Sequence, residues 1–140
     1  MRVLLLSMPD SFEHTPALTM RMPNGALASL AGNVDAHHHV AIGDLILVQS
    51  SVRSTVERLV HGLEPDVVGL SVMTFQRATA LRLATLIRAL RPTARIAVGG
   101  YDPSLASSAY EACAEATLAR WVAHRANARP ATARAPDLGA

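Results

Sequence analysis

Cysteine is nearly absent from this chain, and its scarcity limits the chemistry that the chain can support. The single cysteine, Cys113, cannot form a disulfide within the chain. It also cannot supply the several cysteine ligands that an iron–sulfur cluster or a cysteine-rich zinc site requires. We therefore expect this chain to hold no iron–sulfur cluster of its own.

Aromatic residues, long apolar runs and excess charge are also scarce. Only 4% of the 140 residues are aromatic although 50% are apolar, so the core must be built mainly from aliphatic side chains. No apolar run is long enough to span a membrane, and Met1–Leu6 is too short for a signal peptide. The net charge of +2 favours a solvated surface over a nucleic-acid site. We expect a cytoplasmic protein that binds neither nucleic acid nor membrane.

Phosphate-binding motifs are missing as well. No Gly-x-Gly-x-x-Gly follows the first apolar stretch and no P-loop occurs, so the sequence lacks these cradles for dinucleotides and nucleoside triphosphates. The loop Ser7–Thr15 lacks the Ser/Thr- and Gly-rich turn with which flavodoxins hold a flavin phosphate. A receiver domain would need a carboxylate at the end of its third strand, where this chain has Ser71.

The sequence does contain short aliphatic runs that alternate with helical patterns. The central run lies in Asp66–Phe75, whose apolar residues do not alternate cleanly with polar ones, as in a strand covered on both faces. The other predicted strands are Val3–Ser7, His38–Ile42 and Arg95–Val98, and the predicted helices are Ala26–Ala31, Val52–Leu63, Arg77–Leu90 and Leu105–His124. This alternation predicts an open, mostly parallel α/β sheet in residues 1–124. Residues 125–140, rich in Ala, Arg and Pro, are predicted to form a disordered tail.

The pattern of the third predicted helix assigns its side chains to two faces. Its buried face is predicted to contain Thr79, Leu83, Leu86, Ile87 and Leu90, while Arg77 and Arg88 are predicted to face water.

Three loops are predicted to meet at one edge of this sheet, where open α/β sheets bind their ligands. The first is the long connection Met8–Pro23, which contains three prolines. In the second, the hydroxyls of Ser71 and Thr74 could bond a ligand or cap the following helix. In the third, Gly99 and Gly100 could allow a ligand close to the backbone or form a tight turn. The convergence of the three loops favours a binding site.

Four segments, in this order and spacing, resemble the N-terminal cobalamin-binding domain of B12-dependent radical SAM proteins. They are MRVLLLSMP, PNGALASLAG, PDVVGLSVMTF with RATALRLATLIRAL, and ARIAVGGYDPSLA. The resemblance covers about residues 1–110 and implies a flavodoxin-like sheet ordered 2-1-3-4-5, with the corrin over the C-terminal strand edge. The cofactor-binding positions it implies are Ser7, Met8, Pro9, Ser71, Val72, Met73, Thr74, Gly99, Gly100 and Tyr101.

The sequence departs from the family pattern after Tyr110. Members of the family continue into a fifth strand and a barrel with Cys-x-x-x-Cys-x-x-Cys, and this chain has neither. We therefore expect a truncated relative with strand order 2-1-3-4, which binds cobalamin, is not catalytic alone and has a separate radical SAM domain as a further partner. The alternatives are a flavodoxin-like small-molecule or interaction module without cobalamin, and a hydrolase or transferase using Asp10, Glu13 and His14.

The histidines at positions 37–39 invite comparison with the cobalt-ligand motif Asp-x-His-x-x-Gly. Here the last position of that motif is Val40, and the segment is predicted to lie at the edge opposite the ligand loops. We therefore expect histidines in a surface turn, no metal site, and cobalamin without a histidine cobalt ligand. In the loops of the candidate site, His14 is the one exception to consider.

Overall fold

The computed structural model describes residues 1–9 and 25–111 of the chain. The predicted acid/base residues Asp10, Glu13 and His14 lie outside the described residues, as does the predicted tail 125–140. Most of the predicted long connection Met8–Pro23 and the part of the last predicted helix beyond Glu111 also lie outside them.

The described residues form alternating strands and helices, as the sequence predicts. The strands are β1 (Arg2–Ser7), β2 (His39–Asp44), β3 (Val67–Ser71) and β4 (Arg95–Gly99); the α-helices are α1 (Gly25–Gly32), α2 (Val52–Leu63), α3 (Arg77–Leu90) and α4 (Tyr101–Leu105). Three 3-10 turns, at Leu45–Ser51, Thr74–Gln76 and Ser107–Tyr110, complete the described elements.

The four described strands form one parallel sheet in the order β2-β1-β3-β4. This confirms the predicted open α/β sheet and its flavodoxin-like strand order. The register places Ser7 beside Asp44 on one side and Ser71 on the other, and Ser71 beside Gly99. Four strand ends therefore form a row across the C-terminal edge, the edge at which ligands bind in such sheets.

The hydrophobic core lies between the sheet and the pair α2 and α3, which pack against each other. The strands contribute alternate residues of β1 and β3 to this face, and the helices contribute residues one turn apart. These fully buried side chains include Leu4, Leu6, Val68, Leu70, Val52, Val56, Val60, Leu83 and Ile87. Leu5, between two of these strand residues, is also buried, as expected for a strand covered on both faces.

Several predicted bounds differ from the structure. β2 begins at His39 rather than His38 and continues to Asp44, and β4 includes Gly99. The prediction of a helix beginning at Leu105 is wrong, because α4 begins at Tyr101 and ends at Leu105. The glycine pair and Pro103 suggest a turn at this point of the sequence. Proline is nevertheless tolerated in the first turn of a helix, because backbone N–H groups there form no intrahelical hydrogen bond and the N–H that proline lacks is not needed.

The predicted faces of α3 are correct in most positions. Thr79, Leu83 and Ile87 are buried, whereas Leu86 and Leu90 are only half-buried. Arg77 and Arg88, which are predicted to face water, are both half-buried. The guanidinium of Arg77 forms two hydrogen bonds with the buried carboxylate of Asp102, and Nη1 of Arg88 donates to the carbonyl oxygens of Pro92 and Ala94.

Candidate functional site

The C-terminal edge of the sheet brings together all ten predicted ligand-binding residues. Ser7–Pro9 end β1, Ser71–Thr74 follow β3, and Gly99–Tyr101 join β4 to α4. Because the strands are parallel, these three segments leave the sheet at the same edge. The ten residues differ in exposure, however, and they fall into a buried layer and an exposed layer.

The end of β1 belongs to the buried layer. The hydroxyl of Ser7 is fully buried; it donates to Oδ1 of Asp44 over 2.6 Å and accepts the backbone N–H of Leu45 over 2.9 Å. Met8 and Pro9 are buried as well. The side chain of Ser7 therefore joins β1 to β2, and these three residues support the edge from below.

Gln76, which the sequence reasoning missed, links the loops after β1 and β3. Its side chain is 5% exposed. Nε2 donates to the carbonyl oxygen of Met8 over 3.1 Å, and Oε1 accepts the backbone N–H of Met73, also over 3.1 Å. The signal in the sequence is an uncharged amide directly ahead of an amphipathic helix, a position at which side chains commonly satisfy free backbone groups.

The loop after β3 is held by its backbone, and its hydroxyls do not cap α3. The N–H of Val72 donates to the carbonyl oxygen of Gly99 over 2.8 Å, and the carbonyl oxygen of Val72 accepts the N–H of Asp102 over 3.2 Å. In the described part of the chain, Gln76 stands at the N-cap position of α3 without a side-chain capping bond. Of the two alternatives for Ser71 and Thr74, helix capping is therefore the wrong one.

Gly100 has the positive φ that the sequence allows, with φ +108° and ψ −165°. A Cβ at this position would lie 2.6 Å from the carbonyl oxygen of Val72 and 2.8 Å from its nitrogen. Real Cβ atoms do not approach backbone atoms so closely. The glycine is therefore required for the close packing of the two loops on each other.

A buried carboxylate, Asp102, lies directly beneath this contact and was missed by the sequence reasoning. Its side chain is fully buried, and Arg77 donates to it from Nε over 2.8 Å and from Nη2 over 2.7 Å. The hydroxyl of Tyr110 donates to Oδ2. Asp102 thus receives side-chain donors from α3 and from the turn that follows α4.

The electrostatics of this cluster keep Asp102 ionised and Tyr110 neutral. The hydrogen bonds from Arg77 hold the pKa of Asp102 at about 2, against the opposing effect of burial, and the hydrogen bond from Tyr110 and the charge of Arg77 also lower this pKa. Burial and the neighbouring carboxylate raise the pKa of Tyr110 well above its usual range. The hydrogen bonds to Asp102 raise the pKa of Arg77 further. The pair Arg77–Asp102 is therefore a charged, bidentate ion pair at neutral pH.

The exposed layer is apolar. Met73 and Phe75, in the loop after β3, are 48% and 69% exposed, and Tyr101 and Leu105, in α4 after β4, are 61% and 67% exposed. Large apolar side chains grouped in neighbouring loops commonly mark a binding surface. Thr74 and Gly100 are also exposed, whereas Ser71 and Gly99 are half-buried and Val72 is fully buried.

The comparison with family models decides the family. The model described as "B12 binding domain" matches residues 18–124, about three quarters of the chain. The chain belongs to the B12-binding domain family. The comparison with curated proteins found no match, and neither did the comparison with solved structures.

The exposed layer of this B12-binding domain fits its implied ligand. A corrin is a broad, flat ring system with apolar faces, and a rim of amide groups surrounds it. Met73, Phe75 and Tyr101 offer apolar surface of the kind that such a ring can cover, and they lie at the strand edge where ligands of open α/β sheets bind. The buried layer would support these side chains without touching the ring.

His37 and His38, in the turn before β2, and His39, the first residue of β2, lie at the opposite edge of the sheet in this B12-binding domain. His39 pairs with Arg2, at the N-terminal end of β1, and the imidazole of His37 bonds the carboxylate of Asp35 over 2.6 Å. Within residues 1–9 and 25–111, no group of three or more His, Cys, Asp or Glu side chains is arranged to hold a metal ion. No helix in the same ranges is both long and apolar enough to cross a membrane.

Proposed function

We propose that this B12-binding domain holds cobalamin over the C-terminal edge of its sheet, with the corrin resting on Met73, Phe75 and Tyr101. The observation that carries the proposal is the exposure of these large apolar side chains in the loops after β3 and β4. When bound, cobalamin supplies a cobalt centre that can carry and transfer a methyl group. The residues of this chain bind and orient the corrin and exclude water from the face they cover.

The binding test is gel filtration of the chain after incubation with hydroxocobalamin. The absorption spectrum of the protein peak should contain the corrin bands in a ratio of one cobalamin to one chain. Phe75→Ala removes apolar contact area and should weaken the affinity by about 10-fold, equivalent to about 1.4 kcal/mol. Leu30→Ala in α1, a residue that is 48% exposed, is the matched control and should bind normally.

Two results of this experiment would count against the proposal. If the protein peak carries no corrin, the alternative of a flavodoxin-like module without cobalamin is favoured. If Phe75→Ala and Leu30→Ala both bind as the unchanged chain does, the corrin does not rest on the loop after β3.

We also propose that the cobalt receives no histidine ligand from this chain. The support is the position of His37 and His38 in the turn before β2 and of His39 at the start of β2, and the lack of histidine in the sequence segments 71–76 and 99–105. Replacing these three histidines and His14 by alanine should leave the spectrum of bound hydroxocobalamin unchanged. A shift of the corrin bands in that variant would identify a histidine ligand and contradict the proposal.

We propose further that the cobalamin bound by this domain is the cofactor of a methyltransferase-like radical SAM enzyme. The support is the order of the four sequence segments that resemble such proteins, together with a single cysteine, which makes this chain dependent on a different cysteine-bearing domain for the iron–sulfur cluster. The chain, tagged and purified anaerobically with cobalamin from its own host, should retain a protein with iron–sulfur absorption. Recovery of a cobalamin-loaded chain without any iron–sulfur protein contradicts this part of the proposal.

A further inference from the structure

The buried carboxylate of Asp102 joins both loops of the candidate site. Arg77, which bonds this carboxylate, is the first residue of α3 and directly follows the turn Thr74–Gln76 in the loop after β3. Asp102 itself lies in the first turn of α4, directly after the loop from β4. Through its two hydrogen bonds with Arg77, the side chain of Asp102 connects the segment that carries Met73 and Phe75 to the segment that carries Tyr101.

The backbone reinforces this connection at the same place. The N–H of Asp102 donates to the carbonyl oxygen of Val72, and the N–H of Val72 donates to Gly99. Gly100 allows the two backbones to approach so closely that no Cβ would fit between them. The relative position of the two loops is therefore fixed by one side-chain network and by two backbone hydrogen bonds adjacent to it.

From this geometry we infer that Asp102, with Arg77 and Tyr110, is a positioning group for the cobalamin site: it fixes the spacing between the apolar side chains of the two loops. The inference rests on the proposed function, because it assumes that the corrin rests on those side chains. Asp102 is fully buried, so its side chain is not available to contact a ligand above the two loops. Asp102 acts through the two loops. Its loss should leave the loops disordered in the free chain, and binding should then be weaker because the ligand must order them.

The hydrogen bonding of the Arg77–Asp102 ion pair explains why the order of the two loops should depend on Asp102. A buried carboxylate that accepts a bidentate guanidinium and a phenol is satisfied only in one geometry. If the carboxylate is replaced by an amide, one of its oxygens becomes a donor that faces Arg77, another donor. The two loops then lose the fixed bond between them, while the core residues of the strands, such as Leu4, Leu6 and Val68, have no contact with this carboxylate through a hydrogen bond and should keep their packing.

The test compares Asp102→Asn and Tyr110→Phe with Asp66→Asn. Asp66 is a matched control, because its carboxylate also accepts a hydrogen bond, from the backbone N–H of Arg2 over 2.7 Å, but at the opposite edge of the sheet. Hydroxocobalamin affinity and the visible circular dichroism of the bound corrin are measured at a temperature at which each variant is folded. We expect Asp102→Asn to bind at least 10-fold more weakly, Tyr110→Phe about 3-fold more weakly, and Asp66→Asn as the unchanged chain does.

A measurement without ligand separates this inference from the proposed function. Amide hydrogen exchange of Val72 and Asp102 should accelerate in Asp102→Asn and Tyr110→Phe, while the amides of Leu4 and Leu6 in β1 keep their protection. If the unchanged chain does not bind hydroxocobalamin, the proposed function fails, and amide exchange alone decides whether Asp102 orders the loops.

Two outcomes would overturn the inference. In the first, Asp66→Asn and the Asp102 and Tyr110 variants all lose affinity in proportion to their loss of stability, which would make the network merely structural. In the second, the loop amides exchange at unchanged rates in the variants. If Asp102→Asn fails to fold, Tyr110→Phe, which removes one hydroxyl and keeps the ion pair, gives the same two readouts.

Discussion

Gly100 has a backbone conformation that strongly restricts substitution. Its φ of +108° with ψ −165° lies in a region that is essentially restricted to glycine, and a Cβ there would meet the backbone of Val72. We expect Gly100→Ala to lower the free energy of unfolding by about 2–4 kcal/mol, measured by urea denaturation, because about 1–3 kcal/mol of backbone strain adds to the clash.

Gly62 provides the matched control for this substitution. It lies in the last turn of α2, and no described atom would come within 4 Å of a Cβ there. Gly62→Ala should raise the free energy of unfolding by about 1 kcal/mol, since alanine is the better helix former. Equal stabilities of Gly100→Ala and the unchanged chain would mean that the two loops do not pack as closely as the structure places them.

Asp102 should make stability depend on pH in acid. Its pKa is about 2 in the folded chain and 3.8 in its ordinary state, so the unfolded chain binds the proton more tightly. The stabilisation is therefore complete above about pH 4 and is lost as the pH falls from about 4 to 2. Urea midpoints of the unchanged chain and of Asp102→Asn should differ most above pH 4 and converge towards pH 2.

The comparison isolates Asp102 from the other acidic groups. Asp66 also has a lowered pKa, chiefly because the backbone N–H of Arg2 donates to it, but both proteins in the comparison keep Asp66. A difference between the two midpoints that stays constant from pH 6 to pH 2 would show that the carboxylate of Asp102 does not titrate with folding.

The positive φ of Gly100 can be predicted from the sequence, whereas the buried contacts of Asp102 cannot. Positive φ is a local property of glycine, so a glycine pair after a strand indicates it directly. Asp102 depends on Arg77 and Tyr110, and Arg77 lies in another βα unit. No local pattern predicts such a contact, and an aspartate between tyrosine and proline is equally typical of a surface turn.

At the scale of elements, α2 is predicted to the residue, and α3 likewise, because their apolar residues recur with helical spacing and proline follows each. β2 is the weaker prediction: its exposure mixes buried, half-buried and exposed residues without a continuous apolar run. α4 is predicted wrongly because its five residues include a proline and almost no periodicity. Short elements of this kind are stabilised by tertiary contacts rather than by their own sequence.

The packing of α3 against the sheet gives a prediction at this scale. Leu83 is fully buried between α3 and the strands, so Leu83→Ala should lower the free energy of unfolding by about 2–5 kcal/mol through lost burial and a residual cavity. Leu30→Ala makes the same chemical change on α1, where the side chain is 48% exposed, and should change stability by about 0.5 kcal/mol or less. Comparable losses in both variants, measured by urea denaturation, would contradict the placement of the core.

At the scale of the whole molecule, the alternation of strands and helices predicts a parallel sheet, but it does not fix the order of the strands. The resemblance of four segments to cobalamin-binding domains predicts the order 2-1-3-4, and the structure confirms it. The same resemblance implies ten candidate residues at one edge. The resemblance does not predict which of these residues are buried, as Ser7 and Val72 are, and which are exposed, as Met73 and Tyr101 are. Successive residues of a strand point to opposite faces, and beyond the strand end the direction of a side chain depends on the conformation of the loop.

Ligand binding by this domain should also appear as a gain in stability of the whole fold. A ligand that binds only the folded chain stabilises it by about 2.7 kcal/mol when its free concentration is about 100 times Kd. For a chain of this size, each kcal/mol raises Tm by roughly 4 °C, so hydroxocobalamin at that concentration should raise Tm by roughly 10 °C. Leu83→Ala should show a similar increase from its lower starting value, because the stabilisation depends on Kd and not on the core.

Phe75→Ala should lose about 1.4 kcal/mol of the 2.7 kcal/mol of ligand stabilisation at the same ligand concentration, because it binds roughly 10-fold more weakly. A Tm that does not change at a concentration that saturates the protein peak in gel filtration would mean that hydroxocobalamin binds the unfolded chain equally well, and not the edge formed by the folded sheet.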